Sequence, residues 1–308
     1  AEARVLGIRL RANGWISNPE KLESSDETSS KKLTELADKL IPEFESVAYE
    51  SDPPLLRLQF SGDMAVPESL QATLKLEAED FVIRGCEFDS LKLSANWREG
   101  ALALQEFLLE DSHGRLRAVG LIDSAGGTAK SQIESTLDLA AIGSAFGAGE
   151  YTKDLSFKER PSLMLQITGL PEPEIPLRVT GSFETKSFAW KSVPFESLGF
   201  AFAWEQGRFS IRDFQLQHAA GYLSGNTMRT SDSFNARITN TIPAQVIVST
   251  LPAEFAYGPA GWLQNQGPLK IDLEAAGTAP ALQECSVWGT VAVGKSVFRG
   301  IAVEKVTT

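Results

Sequence analysis

Cysteine and histidine are almost absent from this chain, which has two of each in 308 residues. Structural zinc sites gather four such ligands at short spacings, and Cys86, Cys285, His113 and His218 show no such spacing. The two cysteines occupy non-equivalent positions of the internal repeat described below, which favours two buried thiols over a disulfide. The sequence therefore predicts no metal site. Because no polar groups converge within the repeat, it also predicts no cofactor and no catalytic residues.

Long apolar runs and basic patches are also missing. No segment approaches the roughly 20 apolar residues that span a bilayer, and the chain opens at Ala1 without a signal segment. We therefore expect any membrane anchor to lie outside this segment. The net charge is −11 and Lys and Arg are scattered singly, so the electrostatic field would repel a phosphate backbone. Nucleic acid is excluded as an expected partner.

An internal repeat is the main signal that the sequence does contain. Segment 81–116 recurs without a gap 107 residues later, with ten identical positions. These are Phe81/Phe188, Phe88/Phe195, Ser90/Ser197, Leu91/Leu198, Trp97/Trp204, Gly100/Gly207, Phe107/Phe214, Leu109/Leu216, Gly114/Gly221 and Leu116/Leu223. The offset extends upstream to Pro54 and Pro161, and a third copy begins near Pro268. The chain is interpreted as part of a longer array of structural repeats.

The repeat divides the chain into four predicted parts. Residues 1–53 are the tail of a preceding repeat with an amphipathic helix at about 30–41. Residues 54–160 and 161–267 are two complete repeats, and residues 268–308 are the truncated start of a third. Hydrophobic residues make up 43% and charged residues 22% of the chain, which is typical of globular proteins with a packed core.

Within each repeat, apolar residues alternate with other residues, as in a strand with one buried face. Trp97 and Trp204 are each followed by a short turn that contains glycine, which predicts hairpins. The alternation slips by one residue at Gln105–Glu106 and at Arg212–Asp213, which predicts a β-bulge in both copies. Each repeat is therefore predicted to be a meander of about six antiparallel strands, and the fold class to be mainly β.

Helical spacing occurs only between the meanders. The predicted helix at 30–41 has apolar residues at intervals of three and four, with weaker counterparts at 137–146 and 243–255. The apolar positions of the first helix are Leu33, Leu36, Leu40 and Phe44. We expect such short crossover helices to close each repeat, and the first to pack its apolar stripe against the sheet.

The apolar face of the strands has two interpretations. In one, the sheet closes on itself as a sandwich or barrel and the core is dry. In the other, strands stacked about 4.8 Å apart form a strip of about 30 Å per repeat, which one short helix cannot cover. An uncovered apolar strip of that size binds a ligand or a membrane. The residues predicted to line it are Leu91, Leu93, Trp97, Leu102, Leu104, Leu198, Phe200, Phe202, Trp204, Phe209 and Ile211.

The two tryptophans allow three roles: closing a core, lining a lipid groove or stacking on a sugar. Their neighbours on the same face, Ala95 and Phe202, are apolar. A sugar site has several exposed aromatic residues flanked by Asp, Asn or Glu, so the apolar neighbours favour acyl chains over sugars.

The segment Phe88–Gly100, followed by Leu102–Leu104 and Gly114–Leu116, resembles the repeat of AsmA-like proteins, the bacterial envelope group that includes TamB and YhdP. Segment 195–207 fits the same pattern. The resemblance covers most of residues 54–308, and its motif is an alternation of small and apolar residues with a glycine turn. It implies an elongated U-shaped β-groove with an apolar lumen, anchored by an N-terminal transmembrane helix, that conducts phospholipids between the inner and outer membranes.

The expected function is therefore non-enzymatic. We expect a periplasmic segment of an inner-membrane-anchored protein that shelters acyl chains of a phospholipid or other acyl lipid and serves outer membrane biogenesis. Membranes would be contacted through regions outside this segment, and its partner proteins are not identified by the sequence. The alternative is a structural or adhesive β-repeat protein with a closed dry core and no ligand. An open trough, as opposed to two faces packed about 10 Å apart, distinguishes the two.

Overall fold

A computed structural model of the chain forms two compact units. It describes residues 2–5, 8–18, 47–49, 52–83, 85–123, 127–139, 142–143, 149–169, 176–250, 263–265, 269–278, 285–294, 296–298, 301–303 and 306–307. Unit 1 comprises Ala1–Gly149 and Gln166–Pro176, and unit 2 comprises Glu150–Leu165 and Leu177–Thr308. Most of the described residues are in strands and the helices are short, so the predicted mainly β fold class is confirmed.

Unit 1 is built around an antiparallel meander from β4 to β9. Its strands are β1 (Glu2–Val5), β2 (Ile8–Ser17), β3 (Val47–Tyr49), β4 (Leu55–Asp63), β5 (Val66–Ile83), β6 (Cys86–Arg98), β7 (Ala101–Glu110), β8 (Arg115–Asp123) and β9 (Thr128–Ser135). Each strand from β4 to β9 pairs with the next. Strand β5 is long enough to pair with β4 near its start and with β3 at its end.

One pairing in unit 1 departs from the predicted antiparallel pattern. Strand β2 pairs with β4 in parallel, from Arg9 opposite Leu55 to Ser17 opposite Asp63. Parallel neighbours need a crossover of a dozen or more residues, and residues 18–54 provide that length between the two strands.

Unit 2 repeats the meander with strands β12 to β16 and continues it through β18 and β19. The remaining elements of the chain are α1 (Gly149–Thr152), β10 (Leu155–Phe157), β11 (Ser162–Thr168), β12 (Arg178–Trp190), β13 (Val193–Glu205), β14 (Arg208–His218), β15 (Gly221–Arg229), β16 (Ser233–Asn240), α2 (Ala244–Thr250), β17 (Leu263–Asn265), β18 (Leu269–Thr278), β19 (Ser286–Val293), β20 (Ser296–Phe298), β21 (Ile301–Val303) and β22 (Val306–Thr307). Strands β17, β20 and β21 form a separate three-stranded sheet.

The sequence repeat is reproduced in the strand pairing. Phe81 lies opposite Phe88 in unit 1, and Phe188 lies opposite Phe195 in unit 2. The third copy follows the second at an offset of 108 residues, because Val293 faces Val306 as Thr185 faces Leu198. Equivalent sequence positions thus occupy equivalent places in the ladder.

Both predicted hairpins and both predicted bulges are present. Gly100 and Gly207 close the hairpin turns with φ of 78° and 77°, a region that favours glycine. The β7–β8 register shifts between Leu104 and Phe107, and the β14–β15 register shifts between Ile211 and Phe214. The bulges therefore lie at Gln105–Glu106 and Arg212–Asp213, as the slip in alternation predicts.

A buried cluster lies at one strand end of each unit. In unit 1 its members are Ala78, Phe81, Phe88 and Leu137, and in unit 2 they are Phe188, Phe195, Leu216 and Ile242. The paired phenylalanine rings stack with centroids 5.5 Å apart in unit 1 and 5.3 Å apart in unit 2. Asp80 and Ser187 have φ of 47° and 49°, and this left-handed residue before Phe81 and Phe188 changes the phase of the strand.

The crossover helices are described only in part. Within 137–146, Leu139, Ile142 and Gly143 are helical, and Ile142 packs against the buried cluster of unit 1. Within 243–255, helix α2 spans Ala244–Thr250 and places Val246 and Ile247 on the cluster of unit 2. The predicted helix at 30–41 lies outside the described residues.

Gly181 in β12 shows how closely its neighbours pack around one point of the unit 2 sheet. A Cβ added there would lie 2.6 Å from the Met164 oxygen and 2.7 Å from the Phe202 Cζ. We expect Gly181→Ala to lower the free energy of unfolding by about 1–3 kcal/mol because of overpacking, measured by urea denaturation. Gly199→Ala is the matched control, since its nearest atoms lie 3.9 Å away. Equal losses for both variants would contradict the close packing at Gly181.

Candidate functional site

The strand registers of unit 1 place apolar side chains from seven strands on one face. Direct cross-strand partners point to the same side of a sheet, so the registers link successive strands into rows. The row nearest the hairpin turns contains Gly14, Phe60, Ala72, Trp97, Leu102, Ile122 and Ala129. The next two rows contain Ala12, Leu58, Leu74, Ala95, Leu104, Gly120 and Ser131, and then Leu10, Leu56, Leu76, Leu93, Phe107, Ala118 and Ile133. We call these rows the unit 1 face.

Unit 2 has an equivalent face with larger aromatic content. Its rows are Val179, Trp204, Phe209, Arg229, Phe234 and Gly277; then Gly181, Phe202, Ile211, Thr227, Ala236, Ala275 and Val287; and then Phe183, Phe200, Phe214, Gly225, Ile238, Leu273 and Gly289. In the third row Phe200 and Phe214 are joined by a ring contact, because the β13–β14 register shifts at this point. We call these rows the unit 2 face. The Phe200 ring lies 5.4 Å from that of Phe183, 6.1 Å from that of Phe202 and 6.3 Å from that of Phe214.

Both faces remain partly open to solvent. Trp97 is 37% exposed and Trp204 is 38% exposed, although both are large apolar residues. Leu102, Ile122, Phe209 and Ile238 are exposed to a similar degree. The interior of a closed sandwich is packed to the density of an organic crystal, so it would bury such side chains almost completely. Each face is thus an apolar surface that is closed by the buried cluster at one strand end and open at the hairpin end.

The residues predicted to line an apolar strip lie on these two faces. Leu93, Trp97, Leu102 and Leu104 belong to the unit 1 face. Phe200, Phe202, Trp204, Phe209 and Ile211 belong to the unit 2 face. The remaining two, Leu91 and Leu198, pack against the buried clusters and mark the closed edge of each face.

Several apolar positions of the two faces were not among the predicted lining residues. In unit 1 these include Leu58, Leu74 and Ile122, and in unit 2 they include Phe183 and Ile238. The signal was available, because the strands that carry them show the same alternation of apolar residues. Their membership depends on the register between strands, which the alternation within a single strand does not fix.

An open pocket of about 250 Å³ lies on the unit 2 face. Its wall is almost wholly apolar, and Ile211, Phe214 and Ile238 are among the residues that form it. Gly225 lies in the middle of this wall, where a Cβ would come within 2.4 Å of the Arg237 oxygen. The close approach of β15 to β16 therefore requires glycine at this point.

The opposite side of each sheet carries exposed ion pairs and also exposed large apolar side chains, among them Trp15, Leu121 and Trp288. Arg57 lies 4.0 Å from Glu77 in unit 1, and Arg237 lies 3.7 Å from Asp272 and 3.6 Å from Glu274 in unit 2. All of these side chains are about half exposed, so the pairs add little stability. The two sides therefore differ in charge, because the rows of the two faces contain one charged residue, Arg229.

Cys86 and His218 lie beside the buried clusters. Burial raises the pKa of the Cys86 thiol, and Asp138 and Asp111 raise it further. Cys86 packs against the buried cluster of unit 1. The sequence predicts two buried thiols, whereas Cys86 and Cys285 are free thiols that are only half-buried. The His218 and Phe195 rings pack edge to face with centroids 5.6 Å apart, and His218 accepts a hydrogen bond from the Ala220 N–H.

The described residues contain no cluster of His, Cys, Asp and Glu side chains that could hold a metal ion. In the same part of the chain, no helix has both the length and the apolar character needed to span a membrane. No family model, curated protein or solved structure matches the chain.

Proposed function

We propose that this protein is a non-enzymatic lipid-binding segment that shelters acyl chains on the unit 1 and unit 2 faces. The observation that carries the proposal is the partial exposure of large apolar side chains, such as Trp97 and Trp204, along continuous rows. Apolar surface of this extent on a soluble protein usually binds a ligand, a partner or a membrane. Acyl chains fit it because most side chains in the rows are apolar, and few of them can form a hydrogen bond with a ligand.

The strength of such binding can be bounded from the area that an acyl chain would bury. Complete burial of about 16 methylenes contributes about 13 kcal/mol, at about 0.8 kcal/mol each. An open face contacts about half of the chain, so about 6 kcal/mol is available before the costs of association are subtracted. This corresponds to a Kd of tens of micromolar or weaker, which suits a surface along which lipids move and from which they leave.

The proposed biological setting is the bacterial cell envelope, with transfer of phospholipids between its membranes. The support for the setting is the resemblance of Phe88–Gly100 and 195–207 to AsmA-like repeats. The half-open faces support lipid sheltering over the structural or adhesive alternative, since a closed dry core would leave no apolar row accessible.

Site-specific photo-crosslinking tests the proposal directly. A photoreactive amino acid at Phe202, on the unit 2 face, is expected to capture lipid during expression or from added vesicles, as detected by mass spectrometry. The same probe at Ala203, which faces the opposite side, is the matched control and should capture none. Equal labelling at both positions, or no labelling at either, would contradict lipid binding on this face.

A further inference from the structure

Arg229 interrupts the outermost row of the unit 2 face. It lies directly opposite Phe209 on one side and Phe234 on the other. The equivalent position of the first repeat, 107 residues earlier, is Ile122, which lies between Leu102 and Ala129. A cation therefore stands in an apolar row of the second repeat where the first repeat has an aliphatic side chain.

No described carboxylate forms an ion pair with Arg229 within the part of the chain that the structure covers. The neighbouring acidic residue Glu205 pairs with Arg178 at 4.0 Å, and Asp232 lies in the turn that follows β15. Arg229 is exposed, so its guanidinium is accessible from the open end of the face. Its five N–H donors are thus available for a ligand.

The apolar pocket begins beside Arg229 on the same strand and the same face. Thr227 and Gly225 follow it at intervals of two residues along β15 and line the pocket, and Leu223 marks its far end. At about 3.4 Å per residue, the distance from Arg229 to Leu223 is about 20 Å. The pocket covers the part of this distance from Thr227 to Leu223, about 14 Å, and Arg229 lies two residues beyond its lining. A cation next to an apolar pocket matches an acyl chain with an anionic end.

We propose, on the basis of the proposed function, that Arg229 and this pocket form a binding site for a long-chain fatty acid. The carboxylate receives a bidentate pair of hydrogen bonds from the guanidinium, and the chain lies along Gly225, Ile238 and Phe214. One arginine matches the single charge of a carboxylate, whereas a phosphate monoester carries −1.5 to −2 charges. The pocket of about 250 Å³ can take part of one acyl chain, which favours a fatty acid over a lipid with two chains.

The test measures binding of palmitate, hexadecanol and palmitoyl lysophosphatidic acid to the full chain, each below its micelle concentration. The wild-type protein is expected to bind palmitate about tenfold more tightly than hexadecanol, with the difference reduced by salt. Arg229→Gln should remove this preference and leave hexadecanol binding unchanged. The control Arg208→Gln removes a charge at the same end of the sheet but on its opposite side, and should keep the preference.

The outcomes separate this site from the proposed function. If palmitate and hexadecanol bind equally to the wild-type protein, the Arg229 site is wrong while acyl-chain binding stands. The same conclusion follows if Arg208→Gln lowers palmitate binding as much as Arg229→Gln. If lysophosphatidic acid depends on Arg229 as strongly as palmitate, the commitment to a fatty acid is wrong. If none of the three lipids binds, the proposed function fails as well.

Discussion

Replacing Phe200 and Phe202 by aspartate together is expected to abolish lipid binding, weakening it by about 100-fold or more. Both rings lie on the unit 2 face, next to each other and to Phe183. A carboxylate in contact with an acyl chain loses hydration without a compensating partner, at a cost of several kcal/mol. The cost does not need to reach the roughly 6 kcal/mol that acyl-chain contact makes available. A loss of about 3 kcal/mol of binding free energy already corresponds to 100-fold in Kd.

The double variant should remain folded, because both positions are only half-buried and their carboxylates stay in contact with water. Ala201→Asp is the matched control, since Ala201 lies between the two phenylalanines on the other side of the sheet, opposite Arg212. Binding is measured by titration with palmitate, and folding by circular dichroism. A folded double variant that binds normally would refute lipid binding on this face. A variant that unfolds outright would favour the closed dry core instead.

Much of the local structure could be predicted from the sequence because the two copies agree with each other. The slip at Gln105–Glu106 recurs at Arg212–Asp213, and a phase change at the same place in two copies is what a structural bulge requires. Gly100 and Gly207 likewise recur where the chain must adopt a positive φ. A feature that recurs in both copies indicates a requirement of the fold, whereas a feature of one copy alone does not.

The buried clusters could not be located in the same way. Phe88 is out of phase with the alternation that runs from Leu91 to Trp97 on β6, and Phe81 is out of phase with the apolar positions 72, 74 and 76 on β5. The structure brings them onto one cluster through a left-handed residue at Asp80, and at Ser187 in the second copy. Aspartate and serine give no strong local signal for that conformation, unlike glycine. The parallel joining of β2 to β4 was also beyond prediction, since no local pattern specifies which sheet edge a strand joins.

The alternation within single strands could be predicted from the sequence, but the rows that extend across neighbouring strands could not. The alternation predicts that Trp97 and Trp204 lie on the same side as other apolar residues of their strands, and the registers extend that side across neighbouring strands. The place of Arg229 in the row shows the limit, because it depends on the bulge in β14 and on the β14–β15 register. A residue's face can be read from its own strand, whereas its neighbours come from long-range pairing.

The ten repeated identities divide by what the structure does with them. Phe81/Phe188, Phe88/Phe195, Leu91/Leu198, Leu109/Leu216 and Leu116/Leu223 belong to the buried clusters. Gly114/Gly221 marks a close backbone approach, where a Cβ would come within 2.3 Å or 2.6 Å of a threonine oxygen. The pair Trp97/Trp204 differs from these because both residues are exposed at the open end. Packing thus explains the first two groups, and Gly100/Gly207 close the hairpin turns. Packing does not explain the exposure of the two tryptophans.

Stability and lipid binding are expected to separate at two phenylalanines of unit 2. Phe188 is 3% exposed and its ring stacks on Phe195 at 5.3 Å. Phe188→Ala leaves a cavity in the buried cluster and is expected to lower the free energy of unfolding by about 3–5 kcal/mol. Because Phe188 lies beyond the closed edge of the face, palmitate affinity measured well below the melting temperature should change by less than about twofold.

Phe209→Ala is the matched control and is expected to behave in the opposite way. Its ring is 37% exposed, beside Trp204 on the open end of the face. The free energy of unfolding should fall by less than about 1 kcal/mol, because little buried surface is lost, whereas palmitate affinity should fall several-fold. Urea denaturation of both variants measures the free energy of unfolding, and palmitate titration measures the affinity. If the folded Phe188→Ala variant lost as much affinity as Phe209→Ala, the cluster and the face would act as one unit, and the assignment of lipid binding to the half-exposed rows would be wrong.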